Sequence, residues 1–485
     1  MSRLAWKDRV ESSATLRHAW ALALGARARV AAMRGRPFEA ARLLLRGWKH
    51  LGADGLGRGR VARALSILEA TTRSEGSLLP IARSRMRADF LRSRTARDLR
   101  AKFAAFPIEH RVRLRYPRDD ADPERQGDLI VLKSPDDATG EKGVILVMYH
   151  EGIEAAAAVF DLARLAPRWQ FVLETSNWGA QDGRFLPWIG ADLEALVMAP
   201  RADDHAFFER LSTNLVPVRV GSGEWVDPRV FVPKPAEEPF LHDVVMVAMW
   251  HPLKRHAVLL DAVAALAARG RRLDVALIGG DGTWTRADVD ALVRARGLAD
   301  AVTIHESVPH AEVARLVARS RVSVLLSKQE GSNRAVYESF FVGTPAVVYA
   351  AHKGIDLGHV NARTGVLASD ADLADALVRV IDGRDRFDPA VYAREELGWP
   401  HATRKINAAL AGIARAKGRS WTRDIVGKRN APNLRYVESG TYERFAADYE
   451  SLASALLCLD GTAGPAGPRP RPDSPLPPPG DVGRS

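Results

Sequence analysis

At 485 residues, with 46% hydrophobic and 27% charged side chains, the chain is long enough for two or three domains and apolar enough to bury a large core, which excludes a wholly disordered protein. Its one cysteine, Cys458, excludes a disulfide scaffold and a cysteine-rich metal site and fits a reducing compartment. The net charge of +11 is concentrated: residues 1–100 hold 22 Lys and Arg against 8 Asp and Glu, an excess of +14, and the remaining 48 against 51 leave −3. No window approaches the roughly 20 apolar residues that cross a bilayer. The N-terminus also lacks the apolar stretch and small-residue cleavage site of a signal peptide. A cytoplasmic protein is expected, with a peripheral place at the inner face of the membrane left open by the basic N-terminus.

In chain order, residues 1–125 read as a helical basic region, with Phe38, Ala41, Leu44, Leu45 and Trp48 at helical spacing. Trp20, Leu22, Leu24 and Leu43 to Leu45 stand among arginines there, a pattern that suits an anionic membrane surface, a lipid-linked acceptor, or simply a solvated helix face. A polar connector with Asp119, Asp120, Asp122 and Pro123 follows. Residues 126–238 then alternate helical stretches with apolar runs at Leu129–Leu132, Val144–Tyr149, Phe171–Leu173, Ala195–Met198 and Val216–Val220. After the Pro-rich connector PKPAEEP, residues 239–385 repeat the pattern, with runs at Val244–Trp250, Val275–Ile278, Val302–Ile304, Val322–Leu326 and Ala346–Tyr349. Short apolar strands alternating with helices imply parallel sheets covered on both faces. The fold class is α/β, two Rossmann-like domains facing a cleft. Helices are expected again over 386–460, and 461–485 read as a disordered Pro-rich tail.

The chemistry concentrates in VSVLLSKQEGSNRAVYESFFVGTPAVV, residues 322–348. A strand ends, a polar turn follows, a helix begins, and Gly343-Thr344-Pro345 leads to the next strand. Glu330 falls at the strand's carboxyl end, where doubly wound sheets bind ligands, and Glu338 lies eight residues on, in the helix. The amides of Gly331, Ser332 and Asn333 at the helix start have no intrahelical partner and suit an anion. Upstream, the strand VVMVAMW leads into HPLKRH with Lys254 and Arg255, and VALI leads into the turn Gly279-Gly280-Asp281-Gly282.

In this order and spacing, the span from Val244 to Leu367 resembles the donor-binding domain of the group 1 family of retaining glycosyltransferases, which have the GT-B fold; it covers about a quarter of the chain. The resemblance implies that Glu330 holds hydroxyls of a donor sugar and Glu338 the nucleotide ribose, both through charge-assisted hydrogen bonds. It implies that Lys254, with Arg255 or Arg334, holds the diphosphate and stabilises the charge that develops there, the turn amides and Gly280 completing the donor site. The donor is then a nucleotide-diphosphate sugar, with no cofactor and no metal. No D-x-D motif follows a strand: Asp288 and Asp290 fall in an expected helix and Asp203 and Asp204 are adjacent. Two departures stand out. Met249 replaces the arginine usual five residues before the lysine, and Ser332 and Asn333 replace an aromatic and a second glycine.

ILVMYHEGIEAAAAVFDLARL resembles the family's first strand, loop and helix, making residues 126–238 the acceptor domain. It sets His150, Glu151 and Gly152 at the cleft mouth, and VLETSNWG adds Glu174, Asn177 and Trp178. Candidate catalytic residues are Lys254, Glu330 and His150, with Glu330 not a nucleophile; a histidine at a strand end also has an ordinary structural reading. The base of the nucleotide is expected near His305 to Val308. Transfer to an acceptor hydroxyl in bacterial surface polysaccharide or glycolipid synthesis is the expected role. The open alternatives are a GT-B nucleotide-sugar epimerase or hydrolase, and a non-catalytic binding module with a basic arm. Nucleic acid is not an expected partner, because zinc-finger spacing and RNA-binding aromatic motifs are missing.

Overall fold

The computed structural model describes residues 13–51, 80–116, 126–175, 182–189, 193–211, 213–280, 282–331 and 333–458. Each apolar run read from the sequence becomes a strand. The first sheet has the order β1-β2-β3-β4-β5, from Leu129–Lys133, Gly143–Met148, Trp169–Glu174, Ala195–Met198 and Leu215–Val218. β2 to β5 are parallel; β2, β3 and β4 are fully buried because helices cover both faces, while β5 at the edge is buried only at Leu215. β1 runs antiparallel to β2, against the all-parallel expectation. The connection between Lys133 and Gly143 is too short for a crossover helix, so the chain can only double back.

The second sheet has the order β11-β10-β9-β6-β7-β8 and is parallel throughout. Its strands are β6 His242–Val247, β7 Val275–Gly279, β8 Val302–Glu306, β9 Ser320–Leu325, β10 Ala346–Tyr349 and β11 Gly365–Ala368. β11 is missing from the sequence reading. It is a four-residue edge strand with two partly or fully exposed positions, too short and too polar in context to announce itself. From β6 the chain runs outward to β8 on one side, then crosses back to place β9 on the other. β6 and β9 are therefore the switch point of the sheet, and the loops at their carboxyl ends open a crevice.

The first sheet's core also absorbs both ends of the described chain. Phe38, Phe90 and Phe103 reach it from the N-terminal helices, and Ile406, Leu410 and Tyr449 from the C-terminal ones. The N-terminal region is helical as expected, with Ala14–Met33, Pro37–Leu51, Pro80–Arg92, Arg94–Ala104 and Ile108–Arg113. Leu24, Leu43 and Leu45 are 5% exposed or less, since the first two helices pack face to face and onto the core. They are thus unavailable to a membrane. Among the described residues of this region, Leu22, Val30 and Met33 are the large apolar side chains left exposed. Residues 386–460 are not uniformly helical: after Pro389–Glu396 and Trp399–Ala416 comes an extended stretch containing a two-stranded ribbon, Lys428–Arg429 with Arg435–Tyr436. Residues 119–123, the side chain of Trp48 and the Pro-rich tail 461–485 lie outside the described residues.

The two sheet domains meet at the carboxyl ends of their strands. Arg219, after β5, pairs with Asp356, beyond β10. Val226 bridges Ala431, and Trp399 donates its N–H to the Val226 carbonyl at 2.9 Å.

Candidate functional site

The loop after β6 is built to present Lys254. His251 Nδ1 accepts the Leu253 N–H at 3.0 Å, a one-turn helix spans Pro252–Lys254, and Arg255 takes the left-handed conformation (φ 66°) before the helix His256–Ala268. Gly282 lets the neighbouring loop close on this one, for a Cβ there would lie 2.6 Å from the Trp250 carbonyl oxygen. Gly280 accepts the Trp250 N–H at 2.9 Å, so the glycine turn props the lysine loop from below.

The loop after β9 presents Glu330. Its N–H donates to the Lys353 carbonyl at 3.0 Å, tying the loop to the segment beyond β10. Lys254 Nζ donates to Glu330 Oε2 at 2.6 Å, Asn333 Nδ2 to the same oxygen at 3.0 Å, and Ser327 Oγ to Oε1. Burial works to raise the Glu330 pKa, but Lys254 and the two polar donors outweigh it and hold the carboxyl below its ordinary value. Asn333 caps the helix Arg334–Phe341, its Oδ1 accepting the Val336 N–H at 3.1 Å. The same residue therefore starts the helix and orients the carboxylate. Gly343 at φ 81° ends that helix, with its N–H on the Phe340 carbonyl, and Thr344 Oγ1 donates to the Val317 carbonyl at 2.8 Å. The Gly343-Thr344-Pro345 signature is thus a helix stop.

Glu338 sits on the buried face of that helix and is 9% exposed. Burial raises its pKa, and the charge of Arg334 one turn earlier only partly opposes this. Its carboxylate accepts no hydrogen bond from the described residues. A buried carboxylate without a partner costs stability and is ready to accept donors from a ligand. Arg334 is anchored by Nη1 to the Asn430 carbonyl. Arg255 is engaged: it pairs with Asp370, donates to the Leu326 carbonyl at 2.9 Å and stacks 4.8 Å over Tyr349. Met249 is 52% exposed. Gly331 lies in the loop between Glu330 and the cap, and Ser332 and Asp281 lie outside the described residues.

The structure therefore brings Lys254, Glu330, Asn333, Arg334 and Glu338 together at the β6/β9 switch point. Reading the sequence missed His352. It is 3% exposed, its Nδ1 donates to the Ser327 carbonyl at 2.7 Å, and its buried Nε2 has no hydrogen-bond partner. Burial lowers its pKa, so the ring stays neutral near pH 7 beside Glu330. Only its place just past a strand's carboxyl end hinted at a role.

On the acceptor side, His150 opens the helix Tyr149–Val159 and is fully buried rather than exposed at the mouth. Glu151 binds Arg184, which also lies 3.4 Å from Glu154. Glu174 is sealed in an ion pair with Lys428. Asn177 and Trp178 lie outside the described residues. In the second domain, Glu306 at the end of β8 lies 3.9 Å from Arg286, and Ser307 follows at φ 50°. Among the described residues, no three His, Cys, Asp or Glu side chains are grouped to hold a metal, and no helix is long and apolar enough to cross a membrane.

Residues 242–383 match the family model described as glycosyl transferases group 1. The chain is 30% identical over 168 residues to the alpha-D-kanosaminyltransferase of Streptomyces kanamyceticus, a match over 33% of this chain and 42% of that protein. It is 31% identical over 185 residues to the D-inositol 3-phosphate glycosyltransferase of Thermobifida fusca (strain YX), over 36% of this chain and 38% of the relative. The chain thus spans less than half the length of either relative. Among solved structures, sucrose-phosphate synthase from Thermosynechococcus elongatus aligns with TM-score 0.44 at 18% identity, over 56% of this chain and 74% of that one. Anabaena HepE in complex with UDP aligns with TM-score 0.44 at 15% identity, over 55% and 78%.

Proposed function

We propose, on the premise that residues 242–383 are a domain of the glycosyl transferases group 1 family, that this protein transfers a sugar from a nucleotide-diphosphate sugar to an acceptor hydroxyl. The observation that carries the reading is the pairing of Lys254 with Glu330 at 2.6 Å, in the loop that leads into the helix carrying the unpartnered, buried Glu338 carboxylate. A donor would exchange the internal pair for its own groups. Lys254 would turn to the diphosphate, and Glu330, kept ionised by Ser327 and Asn333, would accept the sugar hydroxyls. Glu338 would accept the ribose hydroxyls and gain the hydrogen bonds it lacks. The fixed charge of Lys254 and the helix amides then stabilise the diphosphate as the glycosidic bond breaks, so the chemistry needs no metal. The leaving phosphate takes the acceptor proton on the same face of the sugar, which retains its configuration.

The acceptor is proposed to be a sugar or lipid-linked sugar of a bacterial surface polysaccharide or glycolipid, met at the inner face of the membrane. The support is the helix Ala14–Met33, which exposes Leu22 (56%), Val30 (41%) and Met33 (80%) beside the exposed Arg27, Arg29, Arg34 and Arg36. The deciding experiment incubates the full-length protein with a panel of nucleotide sugars and follows release of the nucleoside diphosphate with and without candidate acceptors. One donor consumed faster when acceptor is present is expected. No consumption and no binding of any donor refutes the assignment.

A further inference from the structure

The extended C-terminal stretch does more than close the first core. Lys428 and Glu174 are both 0% exposed, and Lys428 Nζ donates to Glu174 Oε2 and, at 2.8 Å, to Asn430 Oδ1. Asn430 Nδ2 donates to Glu174 Oε1 at 2.8 Å and to the Ser222 carbonyl at 2.7 Å, and its N–H to the Trp225 carbonyl at 2.8 Å. The ammonium of Lys428 stands 4.5 Å over the Trp225 ring. Asn430 is thus held from both ends of its amide and cannot turn. Its own carbonyl accepts Arg334 Nη1, from the first residue of the helix that carries Glu338.

Stability alone is a poor reason for such a construction. A fully buried Lys–Glu pair loses its hydration on both sides, and burial pulls the Lys428 pKa down accordingly. An apolar pair of similar volume would hold the sheet as well. What the apolar pair could not do is aim a carbonyl across the joint at a guanidinium. That guanidinium is the charge that offsets burial at Glu338.

We infer that Glu174, Lys428 and Asn430 are positioning residues for the donor nucleotide: they belong to the acceptor-side core, yet through the Asn430 carbonyl they aim Arg334 and so set the Glu338 carboxylate. The inference rests on the donor-site reading above. It means that the donor site is incomplete without the C-terminal segment that returns to the first domain.

The test is a double-mutant cycle on the full-length chain, with calorimetric Kd values for UDP, GDP, ADP and TDP measured well below the melting point of each variant. For the diphosphate that the wild type binds, Asn430→Ala is expected to weaken binding about tenfold, the scale of a lost hydrogen bond to a charged group. Arg334→Ala should weaken it at least as much, and the double variant no further than Arg334→Ala alone. If Asn430→Ala folds poorly, the pair Glu174→Gln with Lys428→Met, which removes both buried charges, should show the same non-additivity with Arg334→Ala. A lower melting point with unchanged Kd, or losses that multiply in the double variant, overturns the inference and leaves the donor site standing. A wild type that binds none of the four overturns the donor-site reading and this inference with it.

Discussion

Glu224 offers a quantitative check on the joint between the domains. It closes the one-turn helix Ser222–Glu224 at 2% exposure, its Oε1 accepts the Gly221 N–H at 2.6 Å, and its turn packs against the helix Arg334–Phe341. Burial pushes its carboxyl up to about 7, partly opposed by the Lys405 charge and the Gly221 N–H; Asp356 and Arg219 also face it, and Glu224 in turn raises the Tyr337 pKa. The folded state therefore keeps a proton that the unfolded chain releases above its ordinary carboxyl value of 4.5. The contribution of this residue to folding stability falls as pH rises from about 4.5 to about 7 and is level above that. The distance between the two values corresponds to about 3 kcal/mol at full ionisation, at 1.36 kcal/mol per pH unit. Glu224→Gln keeps the acceptor for Gly221 but carries no charge at any pH. Urea denaturation of wild type and variant, followed by tryptophan fluorescence from pH 4.5 to 8, isolates this residue because every other titration is common to both. The variant should match the wild type near pH 4.5 and exceed its stability by up to about 3 kcal/mol at pH 8. A difference that stays constant across the range, or one that shrinks as pH rises, refutes the reasoning.

Lys254→Ala and Glu338→Ala should each reduce donor use by about 1.5 to 3 kcal/mol, or roughly ten- to 150-fold, because each would remove a charged hydrogen bond proposed to hold the donor. Both variants should still melt cooperatively, and turnover near the wild-type level in both counts against the site. Glu338→Ala should not lower the melting point through loss of charge, since burial already disfavours that carboxylate; melting curves at pH 8 check this. Turnover should persist in excess EDTA, and its loss on chelation with recovery on adding Mn²⁺ or Mg²⁺ would reverse the metal-free mechanism. The intact protein should sediment with anionic vesicles at low salt and be released at 1 M, where the Debye length falls to about 3 Å, whereas a variant with the exposed Arg27, Arg29, Arg34 and Arg36 changed to Gln should stay in the supernatant. Both remaining in the supernatant disposes of the membrane contact.

Strand positions in both sheets were legible because a buried parallel strand is a short apolar run between turn residues, a signal contained in a few neighbouring positions. The helix from Arg334 to Phe341 was legible for the same reason: Asn333 starts it and Gly343 stops it. Glu330 and Glu338 could be picked out by their places at a strand end and in the helix that follows it, and Lys254 by the resemblance of its loop to that of group 1 glycosyltransferases. What the sequence could not contain is which of these groups touch. Lys254 and Glu330 are 76 residues apart, Glu174 and Lys428 are 254 apart, and only the crossing of β9 beside β6 and the return of the C-terminal stretch bring each pair together. The same holds for burial. His150 and Leu24 read locally as cleft and membrane residues, yet both are 0% exposed, Leu24 because the next helix packs over it. β11 likewise became a strand because β10 offered an unpaired edge, a condition set in space and absent from its own four residues.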